Sequence, residues 1–384
     1  MNGSARAGAY ERQVSGYRAF IPRPLPPDPP IQLVGDLQRL LSQADLALGR
    51  LDGSIRTLPN ADLFVLMYVR KEAVLSSQIE GTQSSLRDLL SAEARIFNPR
   101  APDDVDEVIN YVKAMNRGLA RLPELPVSVR LFRDIHAQLL AGGRGARLRP
   151  GELRVTQNWI GPAGCTLAQA SFVPPPPDRV PDCLADLEKF LHADSDLPIL
   201  IRIGLAHAQF ETIHPFLDGN GRIGRLLITF LLVEKGVLQK PVLYLSHYLK
   251  ANRALYYELL QATRDHGAWE DWLAFFLRGV SEVSAQAAET ARRILDLRER
   301  HRALIIDRLG RVAGGGQRVL EHLFVRPIVS VGEVRDLVGV TYGAANQLVD
   351  RLVEIGVLSE MTGQARNRRF RYGGYIDLFD DESR

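Results

Sequence analysis

A chain of 384 residues, 46% hydrophobic and 24% charged, has the make-up of an ordinary folded protein and is too long for one compact core, so two or three domains are expected. A formal net charge of +3 gives no general attraction to nucleic acid or to membrane, and two cysteines, Cys165 and Cys183, match no metal or redox spacing and form no disulfide framework. Residues 1–13 lack the apolar stretch of a secretory signal, and no apolar run, Leu226–Val233 included, approaches the roughly 20 residues of a membrane span, so a cytoplasmic protein with no membrane partner is expected.

Residues 1–30 predict an irregular arm, because the run from Pro22 to Pro30 contains six prolines, which favour polyproline II and exclude helix. A rigid spacer lying over the first helices is preferred to a docking motif. From Ile31 to about Phe97 apolar residues recur at helical spacing. Leu33, Leu37, Leu40, Leu41, Leu48 and Leu51 mark one helix, and Asp62 is read as the N-cap of a second. Helices are expected near 104–120, 127–141, 180–193 and 198–213; another opens at about 221, and more cover 248–264 and 269–298. The exception is 152–178, where Val155, Trp159, Ile160, Phe172 and Val173 flank a Gly/Pro-rich centre, predicting a short irregular β-hairpin ended by prolines at 174–177.

After about residue 300 the pattern changes, and Gly314-Gly-Gly316 is read as a hinge before a smaller module. That module reads as a winged helix: a helix over 330–338, a turn at 339–341, a candidate recognition helix over 342–353 and a two-stranded wing over 358–372. Arg366, Arg368, Arg369 and Arg371 would meet phosphates from the wing, yet 311–384 holds ten basic and ten acidic residues. Contact with protein, or support of a homodimer, is therefore preferred to contact with DNA. The expected division is a proline-rich arm 1–30, an N-terminal helical region 31–100, a helical core 101–298 and the module 311–384, in a mainly α protein.

The chemistry concentrates between His214 and Arg225. Gly219-Asn-Gly-Arg-Ile-Gly224 fits the dinucleotide pattern G-x-G-x-x-G, but Leu205, Phe210 and Ile213 before it do not alternate as a strand must, so that reading is rejected. Helix, short loop, helix remains. Glycines at 219 and 221 let backbone N–H groups converge, and the following helix points its positive end at the same spot. Arg222 and Arg225 lie on one helix face as clamps for a polyphosphate. Asp218 is a Mg²⁺ ligand candidate, and His214 a base that titrates near neutrality. Together these residues describe a phosphoryl- or nucleotidyl-transfer site.

His214 to Arg225 resembles the signature of the Fic family, H-P-F-x-D-G-N-G-R-x-x-R, with every defining position filled. The resemblance implies a protein adenylyltransferase that moves AMP from ATP, with Mg²⁺, onto a hydroxyl of a target protein or of itself. It implies His214 as general base and Asp218 as the metal ligand. It also implies Gly219, Asn220, Gly221 and Arg222 around the α- and β-phosphates, with Arg225 at the γ-phosphate. Over roughly 60–280 the likeness extends further: 152–178 resembles the family's flap, with Ile160 near the nucleotide and an edge on which a target segment pairs. The stretch Tyr244–Tyr257 resembles the wall of the adenine pocket, with Asn252, Tyr256 and Tyr257 as its candidates, whereas His207 is read as structural. Ser76-Ser-Gln-Ile-Glu-Gly81 resembles the inhibitory motif [ST]-x-x-x-E-[GN], whose glutamate, here Glu80, pairs with the last arginine, here Arg225. The fold implied is a Fic-type helical bundle with a short β-hairpin flap and a small C-terminal winged-helix domain. Use of another nucleotide, the reverse removal of AMP, and a nucleotide-sensing DNA-binding regulator stay open as alternatives; an intact His214 speaks against the last.

Overall fold

Leucines three and four apart put one apolar stripe on the first long helix, α1 (Gly35–Arg56), which buries Leu37, Leu40, Ala44, Leu48, Leu51 and Ile55. A computed structural model describes residues 3–56, 61–96, 102–142, 144–162, 164–364 and 366–379, apart from the side chains of 62–64, 144 and 146. The helices that follow are α2 (Ala61–Ile79), α3 (Leu86–Glu93), α4 (Val105–Arg121), α5 (Val129–Leu139) and α6 (Val180–His192). Next come α7 (Ile199–Ile213), α8 (Asn220–Glu234), α9 (Ser246–Ala251), α10 (Arg253–His266) and α11 (Trp269–Leu309). The α3 start is fixed by a capping box between Ser85 and Asp88, and the α5 start by the Ser128 side chain. The stripe of α1 lies along the 41-residue α11.

The two central helices, α7 and α8, are buried on almost every face, as expected of helices apolar all round. They pack on each other; α6, α10 and α11 cover α7, while α2, α4 and α5 cover α8. Rigid neighbours on all sides fix the loop joining α7 to α8.

The C-terminal unit comprises α12 (Ala313–Leu323), β3 (Ile328–Ser330), α13 (Val331–Val338), α14 (Tyr342–Glu354), β4 (Ser359–Glu360), β5 (Arg369–Arg371) and α15 (Gly373–Ile376). The N-terminal strands are β1 (Gly8–Arg12) and β2 (Arg18–Pro22). The three C-terminal strands form an antiparallel sheet in the order β3-β5-β4. The unit also reaches back to α2, where the ring of Phe379 meets Tyr68 edge-on at 5.1 Å.

Several sequence expectations are corrected. The arm 1–30 is not irregular throughout: β1 and β2 form a hairpin in register from Gly8↔Pro22 to Arg12↔Arg18, with Ala19 and Phe20 completely buried and the Phe20 N–H donating to the Val173 carbonyl at 2.9 Å. The proline run is not a straight spacer but bends at 25–26 and 28–29. Asp62 lies inside α2, not ahead of it. The helix expected over 248–264 is two helices broken at Asn252, and the one over 269–298 continues to Leu309. Gly314-Gly-Gly316 is helical, within α12. A Cβ on Gly316 would stand 2.8 Å from Leu309 and 2.9 Å from Ile305, so this glycine serves close helix contact, not bending. The short irregular hairpin expected over 152–178 is held, among the described residues, by one antiparallel bridge, Ile160 with Phe172, and the prolines at 174–177 cannot extend the ladder. Among the described residues no helix is long and apolar enough to cross a membrane.

Candidate active site

Helix α7 stops where His214 turns left-handed, at φ 49 and ψ 60, a conformation rare for a non-glycine residue. The loop then closes on itself. Asn220 accepts a bond from Phe216 N–H through Oδ1 and returns one from Nδ2 to the Phe216 carbonyl, both at 2.8 Å. Gly219, at φ 79, makes the turn into α8, whose first N–H groups have no helical carbonyl ahead of them. These N–H groups and the helix dipole together attract an anion.

Three residues absent from the sequence reading hold this loop. Arg154, 2% exposed, donates from Nε to the His214 carbonyl at 2.8 Å and from Nη2 to the carbonyls of Pro175 and Ile213. Asn158 donates to the Phe216 carbonyl at 2.9 Å. His136 stacks on Phe216 with centroids 3.8 Å apart; its Nδ1 accepts from Gly151 N–H, which leaves Nε2 to donate to the Asp218 carbonyl at 3.0 Å. Burial pushes the His136 pKa down to about 4, so it stays neutral in this role. The segment 152–178 is thus fastened at its base to the loop carrying His214. No pattern in the sequence singles out Arg154, Asn158 or His136, because their partners are backbone carbonyls and an amide brought close only by folding.

His214 is half-buried. Packing of its ring, then the positive charges of Arg154 and Arg264, push its pKa down to about 3, against the pull of Glu80 and the Glu211 backbone. The imidazole is therefore neutral, and it titrates well below the near-neutral range expected from the sequence, because it is packed beside two guanidinium groups.

Arg225, 2% exposed, donates from Nε to Ser76 Oγ at 2.7 Å and from Nη2 to the Ser76 carbonyl at 3.0 Å and Glu80 Oε1 at 2.6 Å. Burial works against both charges. Arg225 nevertheless holds the Glu80 carboxyl below its usual range, and Glu80 holds Arg225 firmly charged. A Cβ on Gly221 would fall 2.2 Å from Glu80 Oε1, so the carboxylate lies against the first turn of α8, where only glycine leaves room for it. Glu80 therefore occupies part of the anion cradle.

Arg222, 4% exposed, pairs with Glu107 at 3.3 Å and with Asp218 at 3.1 Å. Glu80, Glu107, Asp218 and Arg222 line one cleft of about 340 Å³. Among the described residues no three His, Cys, Asp or Glu side chains group as a ready metal site. Asp218 offers a half-exposed carboxylate next to the cradle, which matches the usual Mg²⁺ set of one or two carboxylates completed by phosphate oxygens.

The adenine-wall candidates divide. Tyr256 is fully buried, and its hydroxyl donates to His207 Nε2 at 2.9 Å while His207 Nδ1 bonds the Gly224 carbonyl at 2.8 Å. Both belong to the packing behind α8. Tyr257 is 39% exposed, with the Arg253 guanidinium 5.5 Å from its ring centre. Asn252 sits at the break between α9 and α10 and bonds the Tyr248 carbonyl at 3.0 Å. Ile160 is half-buried in its bridge with Phe172.

Two further acids escaped the sequence reading. Glu72 accepts from Ser246 N–H at 3.1 Å and from the Ser246 and Tyr111 hydroxyls; burial pushes its pKa up to about 7. Glu211 is likewise buried and pushed up to about 7. The wing arginines are largely engaged within the chain: Arg368 with Asn346 at 2.8 Å and Asp350 at 3.3 Å, Arg369 with Glu333 at 3.0 Å, and Arg371 with Ser359 at 3.2 Å. Arg366 is exposed.

Residues 38–120 match the model of the Fic/DOC family N-terminal region, and residues 126–232 that of the Fic/DOC family itself. Over 84 residues the chain is 38% identical to a probable protein adenylyltransferase of Aquifex aeolicus, covering 22% of this chain and 26% of that protein. Over 192 residues it is 29% identical to the protein adenylyltransferase Fic of Drosophila grimshawi, covering 49% of this chain and 36% of the relative. The chain thus spans between about a quarter and about a third of the length of these two curated relatives. In fold it is similar to the crystal structure of a Fic family protein from Desulfovibrio desulfuricans G20, with TM-score 0.58 and 19% identity over 89% of this chain and 97% of that one. Across the two matched segments, which contain both the Glu80 arm and the His214–Arg225 loop, the chain belongs to the Fic/DOC family.

Proposed function

We propose that the chain is a protein adenylyltransferase, transferring AMP from ATP to a hydroxyl of a target protein and of itself, and restrained by Glu80. The observation that carries this reading is the Arg225–Glu80 pair over the first turn of α8, beside a neutral His214: an anion already fills the place a terminal phosphate would take. The names of the relatives matching these segments support it.

In this mechanism the N–H groups at Gly219–Gly221 and the Arg222 guanidinium bind and orient the α- and β-phosphates, and Arg225 binds the γ-phosphate once Glu80 withdraws. The His214 imidazole takes the proton of the target hydroxyl as its oxygen bonds to the α-phosphorus; the bond to the β-phosphate oxygen breaks and pyrophosphate leaves. Arg154 and Asn158 hold the His214 loop in place through its carbonyls. Asp218 would hold Mg²⁺, which when bound supplies charge neutralisation to the phosphates.

The edge around Ile160, with Val155 and Trp159 exposed beside it, is the proposed dock for an extended target segment, and Tyr257 is the accessible candidate for the adenine. The unit 311–384 is proposed as a winged helix that contacts protein and not DNA, because two of its wing arginines, Arg368 and Arg369, are paired with its own side chains. Free Cys165 and Cys183 accord with a reducing, cytoplasmic setting. The test is to incubate the purified protein with each labelled nucleoside triphosphate and a cell lysate. Labelling from ATP carrying ³²P at the α position, and not at the γ position, is expected; label from the γ position, or none in the Glu80→Gly variant either, would defeat the proposal.

A further inference from the structure

A cavity of about 650 Å³, separate from the 214–225 loop, lies between α2, the end of α3 and the β3–α13 edge of the C-terminal unit. Its size suits a small metabolite. Four arginines line it, Arg70 and Arg95 from the helical body and Arg326 and Arg369 from the C-terminal unit, against two carboxylates, Glu93 and Glu333. Each carboxylate already has a cationic partner: Glu93 takes Arg70 Nε at 2.8 Å, and Glu333 takes Arg369 at 3.0 Å and Arg326 at 3.9 Å. Positive charge remains in excess. Arg95 is exposed and forms no ion pair among the described residues. Arg70 Nη1 is buried and has no hydrogen-bond partner among the described residues.

An anion in the cavity offsets the excess positive charge of the guanidinium groups that line it. Phosphate suits the arrangement best. It carries nearly two negative charges and several acceptor oxygens, and guanidinium forks meet it two bonds at a time. Leu90 from the helical body and Ile328 from the C-terminal unit complete the lining with a small apolar area. We propose that this cavity binds a small phosphate-bearing molecule, gripped by Arg70 and Arg95 on one side and Arg326 on the other. Occupancy ties the C-terminal unit to α2, the helix whose other end holds Arg225 through Ser76. The site stands whether or not the 214–225 loop transfers AMP.

The probe is pyrophosphate, titrated calorimetrically into the full chain. Arg222→Ala with Arg225→Ala silences the nucleotide cradle, and a pyrophosphate site is expected to persist in that background. Adding Arg95→Ala and Arg326→Ala should weaken it at least about tenfold, whereas the two lysine replacements should retain most of the affinity. The unmutated chain gives a second reading. Arginine modification by phenylglyoxal, mapped by mass spectrometry, should slow at Arg95 and Arg326 when pyrophosphate is present. Binding that disappears with the cradle variants alone, or modification rates at Arg95 and Arg326 that pyrophosphate leaves unchanged, would overturn the proposal.

Discussion

Glu80→Gly removes a carboxylate that stands 2.6 Å from Arg225 Nη2 and against the first turn of α8. Two effects of different size should follow. The first is on stability. A hydrogen bond between charged groups contributes about 1.5–3 kcal/mol, but Glu80 is 35% exposed and Arg225 keeps both bonds to Ser76. Solvent screening therefore brings the loss nearer to about 1 kcal/mol, a fall of a few degrees at most in the melting temperature. The second is on rate. In the proposed mechanism Glu80 keeps the γ-phosphate from Arg225, and a reacting phosphorus displaced by about 1 Å loses about 10²-fold in rate. Removing the competitor should restore most of that factor. Self-labelling from α-³²P-ATP and calorimetric melting, measured on the same samples, separate the two effects. In the double variant Glu80→Gly with Arg225→Ala the gain should disappear. A well-folded Glu80→Gly protein labelling no faster than the parent would refute the inhibitory reading and leave Glu80 as a helix-end anchor.

Other outcomes follow from the same geometry. His214→Ala should lower AMP transfer by about 10²–10⁴-fold while ATP binding, measured by calorimetry, changes little, because the phosphate cradle does not include the imidazole. Asp218→Asn should remove the Mg²⁺ dependence of labelling along with the activity, as read from a metal titration, since the amide is a poor ligand and also loses the Arg222 pair. Glu72 bears on pH. Its folded pKa of about 7 is raised above the ordinary 4.5, so the stability it contributes is complete below about pH 4.5 and is lost as pH rises through 7. Glu72→Gln, permanently neutral, should gain stability relative to the parent between pH 5 and pH 8 in urea unfolding; an equal difference at both pH values would show that Glu72 does not titrate in this window.

The sequence carries the phosphate cradle openly because its parts are consecutive: His214, Asp218, Gly219 and the two arginines lie within one turn of loop and the helix after it. Glu80 was legible only through resemblance, since nothing local reveals that a residue 145 positions away from Arg225 will meet it. Arg154 and His136 were not legible at all. Their value lies in hydrogen bonds to backbone atoms of another segment, and such bonds leave no side-chain pattern to read. Tyr256 shows the opposite error. Its place beside Tyr257 made both ring candidates look alike, yet successive helix positions point in different directions, and only Tyr257 reaches the surface. The glycines at 314–316 misled for a related reason. Glycine loosens an exposed chain but also allows close packing, and here Leu309 and Ile305 take the space its missing Cβ leaves.

The helix α11 runs 41 residues, about 60 Å at the usual rise. Its first turns bury Trp272, Leu273 and Phe276 among the central helices, and its last bury Ile305 and Leu309 against α12. One unbroken rod therefore carries a single core from the central helices into the C-terminal unit, and Phe379 closes a second link by resting on Tyr68 of α2. Parts joined this way share their fate on heating: fraying the far end strips cover from the helix that carries Ser76, so the melt should run as a single cooperative event. Excision at the glycine triplet would accordingly leave the Tyr68 ring facing water, and shortened versions of this chain should be sticky before they are inactive.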